Sequence, residues 1–251
     1  MFQMCVRARC VPTLWKRALQ VPIPKRSVEE DPANRGNFRG ITMQSAMGKL
    51  FCHVLQDKYL TENYEAAMCV TSRVVGSIMI ANVRTATPFI LAYTIHRSIV
   101  EERGLYVVFV DIQKAYPSVW QDGLFYKLRR AVPHINGHLI ELLKSCITQG
   151  ETHVFLQGLQ STPYTSRVGV REGAVESPAL FNYFINDLVA DLKAAGCAGT
   201  AISAGWLAAL FADNIILVCR TVKQICKGVF GCAAHILLQS GASPSAWARQ
   251  S

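Results

Sequence analysis

An uninterrupted apolar segment, Leu105–Val110, is followed directly by Asp111. Its residues favour β-strands, and a run without polar alternation is typical of a strand buried on both faces. A carboxylate at the end of such a strand is costly to desolvate unless a cation lies nearby. Asp111 is therefore either the N-terminal cap of the following helix or part of a site that binds cations.

A second apolar stretch, Leu207–Val218, is interrupted by Asp213 and Asn214. Two Asx residues between β-forming runs predict a tight hairpin with these residues at its turn. Taken alone, the pattern indicates no more than a turn. Combined with Asp111, it would bring carboxylates to the ends of buried strands, an arrangement that can bind a pair of Mg²⁺ ions.

Apolar residues at helical spacing, together with capping signals, predict helices before and after these strands. Ser45 is placed to cap a helix with a buried apolar stripe, and Thr87-Pro88 opens a helix that ends at Gly104. Ser177-Pro178 opens another, which continues to Gly196. The stripe after Ser45 and the remaining predicted helices are Met47, Leu50, Phe51, Val54 and Leu55, and then Asp122–Leu128, His138–Ile147 and Arg220–Leu238.

Two further segments are predicted to be extended. The prolines of Trp15–Arg26 exclude a helix and place this segment at a sheet edge or in a finger-like loop. Thr152–Val170 predicts a hairpin with turns near Gly158 and Pro163. The expected fold class is therefore α/β (α+β), with an antiparallel sheet covered by helices.

The net charge of +9 suits a polyanionic partner, nucleic acid above all, although a solvated basic face would give the same balance. No apolar run approaches the ~20 residues that a bilayer span needs, so we expect no membrane partner. The nine cysteines include no C-x-x-C pair. This argues against disulfides and a zinc module, and favours reduced thiols inside the cell.

Basic residues of the first extended segment have a candidate role beyond solubility. Lys25 or Arg26, with Arg39 from a neighbouring strand, could converge on one phosphate group, which a guanidinium fork matches well. The alternative is that they are ordinary surface cations. Downstream, the glycine-containing loop Gly169–Gly173 could lie against a template base and a nucleotide.

Four ordered blocks of the chain together resemble the reverse transcriptase of LINE-type (non-LTR) retrotransposons. The similarity extends from Trp15 to Val218, which is most of the chain. The blocks are Trp15–Lys25 with Asn37–Phe51, Phe109–Leu128, Gly169–Leu188, and Phe211–Asn214.

The resemblance implies a right-hand polymerase that copies RNA into DNA with Mg²⁺ or Mn²⁺. Residues 1–104 would form a partial, fingers-like part, 105–220 the palm, and 221–251 a residual helix and a low-complexity tail, with the thumb missing. The implied partners are an RNA template, a DNA primer and deoxynucleoside triphosphates. Elements of this kind act in the nucleus and the cytoplasm, so the resemblance implies an intracellular protein.

Site residues follow from the resemblance position by position. Asp111 and Asp213 would be the catalytic, metal-binding carboxylates, with Asn214 as a third metal ligand. The implied nucleotide-binding residues, which hold the triphosphate, exclude a 2′-hydroxyl or line the nucleotide and template, are Lys25, Arg39, Tyr116, Glu172 and Gly173.

Several positions depart from the family pattern. Asn214 replaces an aspartate, which removes negative charge from an oxygen site for Mg²⁺. Glu172 replaces a glutamine and would repel phosphates, and Gly40 replaces a proline, loosening the turn that aims Arg39. The block around Cys69–Ser77 is hardly recognisable. We therefore expect impaired or absent activity, and two alternatives stay open: an active polymerase, or a non-catalytic remnant that binds nucleic acid.

Overall fold

The computed structural model describes residues 1–25, 34–57, 86–131, 137–148, 150–194, 196, 208–211 and 214–239. The fold is mixed α/β, and the chain divides into two compact units. Unit 1 comprises Met1–Tyr64 and Tyr116–Tyr183, and unit 2 comprises Glu65–Ala115 and Phe184–Ser251.

The elements are numbered along the chain. The helices are α1 (Phe2–Ala8), α2 (Thr13–Lys16), α3 (Ala46–Leu55), α4 (Ala86–Val100), α5 (Ala115–Ser118), α6 (Gln121–Ala131), α7 (Gly137–Ile147), α8 (Ser177–Ile185), α9 (Leu188–Ala194) and α10 (Val222–Gln239). The strands are β1 (Ala18–Pro24), β2 (Phe38–Gln44), β3 (Tyr106–Asp111), β4 (Thr152–Leu156), β5 (Leu159–Gln160), β6 (Ala208–Phe211) and β7 (Asn214–Cys219). Arg35–Asn37 is a short 3₁₀ turn before β2.

Unit 1 contains a four-stranded sheet in the order β2-β1-β4-β5. β1 pairs with β2 along its whole length, but with β4 only over Ala18, Leu19 and Gln20. The half of β1 that carries Pro22 and Pro24 is thus paired on one side, where a missing N–H is tolerated. The prediction that this segment lies at a sheet edge is confirmed for residues 21–24 and wrong for residues 18–20.

The predicted hairpin after Thr152 is present as β4 and β5. Leu156 pairs with Leu159, so Gln157 and Gly158 form the turn, and both have positive φ (49° and 82°). Two positive values are what a two-residue hairpin of the favoured twist requires.

Helix α3 begins as predicted, because the Ser45 hydroxyl oxygen accepts a hydrogen bond from the Gly48 amide at 3.1 Å. Its buried stripe is shifted from the predicted one. Phe51 and Leu55 are buried, but Met47 and Leu50 are exposed. Gly48 is buried instead. A Cβ at this position would lie 2.7 Å from the Trp15 carbonyl oxygen, so only glycine allows the helix to approach Trp15 this closely.

Unit 2 contains a three-stranded antiparallel sheet in the order β3-β7-β6. Four residues of the central strand β7, Ile215 and Leu217–Cys219, are fully buried. Among the described residues β3 pairs only with β7, and its Phe109 is 69% exposed. The prediction that this segment is buried on both faces is therefore wrong, because burial follows the strand order, which the apolar run does not encode.

Helix α4 also differs from its prediction. It begins at Ala86 and ends at Val100, four residues before Gly104. Glu102 has φ 51°, the Arg103 amide bonds to the Ser98 carbonyl, and the Glu102 amide bonds to the Ile99 carbonyl. This pattern is a Schellman motif with a glutamate at the left-handed position usually occupied by glycine.

The helix predicted from Ser177 to Gly196 is divided into α8 and α9. The break lies at Asn186 and Asp187. Asp187 and Asp191 both face His235 of α10, at 3.3 Å and 2.6 Å, and the His235 side chain is almost fully buried. The contact joins α9 to α10, the helix predicted as Arg220–Leu238.

Among the described residues, no helix is both long enough and apolar enough to cross a membrane. In the same part of the chain the cysteines are free thiols: Cys5, Cys10, Cys52, Cys146, Cys219, Cys226 and Cys232. A hydrogen bond with Cys146, together with burial, raises the pKa of Cys52, with Glu176 adding to the effect.

Candidate functional site

Asp111 and Asn214 lie directly opposite each other at the end of the β3–β7 ladder. Both residues are exposed. Directly opposed residues of antiparallel strands have Cβ atoms about 4.5–5.5 Å apart and side chains on the same face. The register thus brings the Asp111 carboxylate and the Asn214 amide together in unit 2.

The hairpin between β6 and β7 is confirmed, but its turn differs by one residue from the prediction. Phe211 pairs with Asn214, so Asn214 is the first residue of β7 and the connection consists of residues 212 and 213. Because β7 pairs with both neighbours at this point, Asn214 belongs to the ladder. Asp213 lies outside the described residues.

The alternative role of Asp111 as a helix cap does not agree with the fold. Asp111 is the last residue of β3, and α5 begins at Ala115. An N-cap immediately precedes the first helical residue, and Lys114, with φ 52°, occupies that position. The Asp111 carboxylate is therefore exposed without a capping role.

Carboxylate and amide oxygens are the donors that hard cations such as Mg²⁺ prefer, so the Asp111–Asn214 pair fits such an ion. Within the described part of the chain, no group of three or more His, Cys, Asp or Glu side chains could bind a metal. The described residues contribute one carboxylate and one neutral oxygen donor.

In unit 1, the strand register brings together two of the predicted cations. Ile23 pairs with Arg39, and the Lys25 amide donates to the Asn37 carbonyl at 2.8 Å, which extends the ladder by one residue. Lys25 and Arg39 therefore lie diagonally on one face, where such neighbours are about 7–8 Å apart. Both are exposed, and the Lys25 ammonium donates to the Gly36 carbonyl at 2.8 Å. Arg26 lies outside the described residues.

The loop Gly169–Gly173 is tied to two other segments of unit 1. The Gly169 and Val170 amides donate to the carbonyls of Val119 and Tyr116, at 2.7 Å and 2.8 Å. The Thr42 amide of β2 donates to the Glu172 carbonyl at 2.8 Å. Tyr116, Glu172 and the strand of Arg39 are thereby linked.

Glycine is required at both ends of this loop. Gly169 and Gly173 have φ of 85° and 92°, in the left-handed region. A Cβ on Gly169 would also lie 2.5 Å from the Pro117 carbonyl oxygen, and one on Gly173 would lie 3.1 Å from the Thr42 carbonyl oxygen. The Tyr116 ring packs against Phe181, with ring centres 5.3 Å apart.

Arg171 within this loop and Glu176 just after it make contacts that were not predicted from the sequence. Arg171 donates to the Lys16 carbonyl at 2.7 Å, and burial lowers the pKa of its guanidinium despite the nearby negative charge of Glu176. Glu176 is buried and accepts from the Gln44 amide at 3.2 Å. The one sequence signal for this network is three charged residues, Arg171, Glu172 and Glu176, within an otherwise mostly apolar loop and helix start.

A cavity of about 170 Å³ opens behind the same loop. Gly40 lines this cavity. It lies within β2 opposite Pro22, so the prediction that Gly40 loosens a turn is wrong. Its missing side chain instead leaves room for Gln20, whose side-chain amide oxygen Oε1 accepts from the Tyr164 hydroxyl at 2.7 Å. The polar side chains around the cavity include Gln20, Thr42, Gln121, Tyr164, Arg171 and Glu172.

The mixed α/β fold is similar to that of solved telomerase structures. The chain resembles apo telomerase from Candida tropicalis, truncated from its C-terminal domain, with a TM-score of 0.59 at 15% identity, over 92% of this chain and 49% of that one. Telomerase from Candida albicans, solved with a fragment of telomeric RNA, gives 0.58 at 13% identity, over 96% and 44%. At this identity the likeness shows the fold.

The family is shown by sequence. Residues 23–243 match the family "Reverse transcriptase (RNA-dependent DNA polymerase)", and the chain belongs to that family. It is 27% identical to the RNA-directed DNA polymerase from mobile element jockey of Drosophila melanogaster, over 70% of this chain and 19% of the relative. It is 28% identical to the R2 retrotransposable-element polyprotein of Popillia japonica, over 83% and 28%.

These relatives confirm the resemblance to LINE-type elements, and the chain is a reverse transcriptase domain of RNA-directed DNA polymerase ancestry. The chain spans between a fifth and just over a quarter of the length of the curated relatives cited.

Proposed function

We propose that this domain carries out, or once carried out, metal-dependent nucleotidyl transfer from deoxynucleoside triphosphates to a DNA primer on an RNA template. The observation that supports this most strongly is the Asp111–Asn214 pair at the exposed end of the β3–β7 ladder. Asp111 and Asp213 act as the catalytic carboxylates, with Asn214 as an additional metal ligand.

We include a subdomain assignment in the proposal. The sheet β3-β7-β6 is the core of the palm, within residues 105–220, and the β1–β2 ribbon belongs to a fingers-like part, within residues 1–104. Residues 221–251 then follow the palm, beginning with α10.

Mg²⁺ or Mn²⁺, when bound, supplies Lewis-acid activation of the attacking oxygen and neutralises charge on the triphosphate. Lys25 and Arg39, which share one face of the β1–β2 ribbon, hold the phosphates. Tyr116 packs under the incoming sugar and excludes a 2′-hydroxyl, and Glu172 and Gly173 line the nucleotide and template. Positioning carries the reaction, so no side-chain nucleophile is needed.

We further propose that the activity is weak. Mg²⁺ affinity rises with the number of charged oxygen ligands, and Asn214 contributes a neutral one. Glu172 adds a negative charge beside the expected path of a polyanion, and its side chain is half-buried, so solvent screens it incompletely.

Primer extension on an RNA template, with Mg²⁺ and with Mn²⁺, tests the proposal. Asn214→Asp should raise the extension rate by about tenfold, because it restores a charged ligand. Asp111→Ala should abolish extension, whereas Asp122→Ala, which removes an exposed carboxylate of α6, should leave it unchanged. Extension that survives Asp111→Ala, or an Asn214→Asp variant no faster than the wild type, would refute the assignment.

The exposed cations of the β1–β2 ribbon favour a second candidate function, a domain that binds nucleic acid without copying it. Lys25 and Arg39 do not depend on a metal to bind phosphates. This candidate predicts RNA binding that weakens steeply with salt and is unaffected by Asp111→Ala, with no extension by the Asn214→Asp variant. RNA binding that is independent of salt would exclude it.

A further inference from the structure

An exposed aromatic ring lies beside the acidic end of β3. Phe109 is 69% exposed, although phenylalanine in a sheet is usually buried. It is two residues before Asp111 in the same strand, so both side chains point to the same face, with Cα atoms about 6.6–6.8 Å apart.

The opposite strand completes a small patch on this face. Phe109 pairs with Ile216, just as Asp111 pairs with Asn214. The apolar pair therefore lies next to the polar pair, on the same face of the sheet. The patch thus joins a candidate metal site to an apolar surface.

Helices α10 and α4 pack on this sheet. On the other face, Gly228 of α10 lies against Leu217, which is fully buried. On the face of Phe109, Leu91 of α4 packs against Val218, two positions beyond Ile216. Phe109 nevertheless remains exposed on this face.

We propose that Phe109, together with its cross-strand neighbour Ile216, contacts the sugar and base of the primer's terminal nucleotide. The inference rests on the proposed function, because it takes the primer's 3′ end to lie beside Asp111. Phe109 is on the same sheet face as Asp111, within reach of a nucleotide held there. An exposed ring is suited to such a contact, since aromatic stacking on bases tolerates any sequence.

The strand offers a matched control. Tyr106 is also an exposed aromatic residue of β3, at 42%, but it lies on the opposite face. A general effect of removing an aromatic residue from this strand would be the same at both positions. A contact with the primer end would be lost only at Phe109.

Fluorescence anisotropy with the full chain measures binding of a DNA primer on an RNA template, with divalent metal and without nucleotide triphosphates. Phe109→Ala should weaken binding of a recessed 3′ end by about tenfold. Phe109→Trp should restore it, and Tyr106→Ala should leave it unchanged. Binding of single-stranded RNA should be the same in all variants.

Equal binding by wild type and Phe109→Ala, or an equal loss in Tyr106→Ala, would overturn the inference. Phe109→Thr, a β-former without a ring, replaces Phe109→Ala if the latter fails to fold, and it should show the same loss. Primer extension separates the two proposals. An unchanged KM for primer in an active Phe109→Ala enzyme refutes this contact alone, whereas extension that survives Asp111→Ala refutes the proposed function.

Discussion

The two units of the chain position their candidate groups by different physical means. In unit 2, Asp111 and Asn214 are neighbours because two strands pair in register, and each residue of the ladder supports the next. In unit 1, Glu172 and Gly173 belong to a loop that is held by hydrogen bonds to residues far away in the sequence, such as Thr42. A ladder shares its stability among many bonds, whereas a loop depends on a few. The loop is therefore the part that single substitutions should damage most.

Gly169→Ala tests this dependence and should have the largest effect. Alanine would be strained at φ 85° and would meet the Pro117 carbonyl oxygen, so we expect a loss of about 2–4 kcal/mol in the free energy of unfolding. Urea unfolding monitored by circular dichroism measures it.

Gly137→Ala is the control, because nothing lies within 4 Å of the position where its Cβ would be. It should change stability by less than about 0.5 kcal/mol. Similar losses in both variants would show that the left-handed turn at Gly169 is not what holds the loop.

His235→Ala probes unit 2 at a point away from the β3–β7 ladder. Each ring nitrogen faces a carboxylate, and only the imidazolium can donate to both. Because Asp187 and Asp191 are about half exposed, we discount the loss to about 1–3 kcal/mol.

The check is a double-mutant cycle in urea between His235→Ala and Asp191→Asn, with exposed His96→Ala as the control. A coupling energy near zero would mean that His235 stabilises α10 through packing alone.

Lys25→Gln and Arg39→Gln should have the smallest effects. Each removes one phosphate contact, so the slope of log binding constant against log salt should fall by about 0.7–0.9 for RNA. Lys49→Gln changes an exposed residue of α3 and should leave the slope unchanged. If it lowers the slope equally, the β1–β2 face has no special role.

What could be predicted from the sequence follows the same division. The Ser45 cap and the β6–β7 hairpin depend on neighbouring residues, so local patterns were sufficient to predict them. The exposure of Phe109 depends on which strand lies at the sheet edge, and an apolar run carries no information about that.

The hydrogen bonds of Arg171 and Glu176 could not be predicted from local sequence patterns either. Arg171 and Lys16 are 155 positions apart, and Glu176 and Gln44 are 132 apart. A single sequence shows that these residues are polar, but not that they meet. The Asp111–Asn214 pairing combines two local signals, because Asp111 ends one β-forming run and Asn214 begins another.

The central claim is that Asp111 and Asn214 bind one divalent ion between them. Mn²⁺ titration followed by electron paramagnetic resonance tests it without requiring catalysis. Asp111→Asn should weaken Mn²⁺ binding by about tenfold and Asn214→Asp should strengthen it by a similar factor, because affinity follows the number of charged oxygen ligands. Mn²⁺ affinity that is the same in the wild type and both variants would contradict the account.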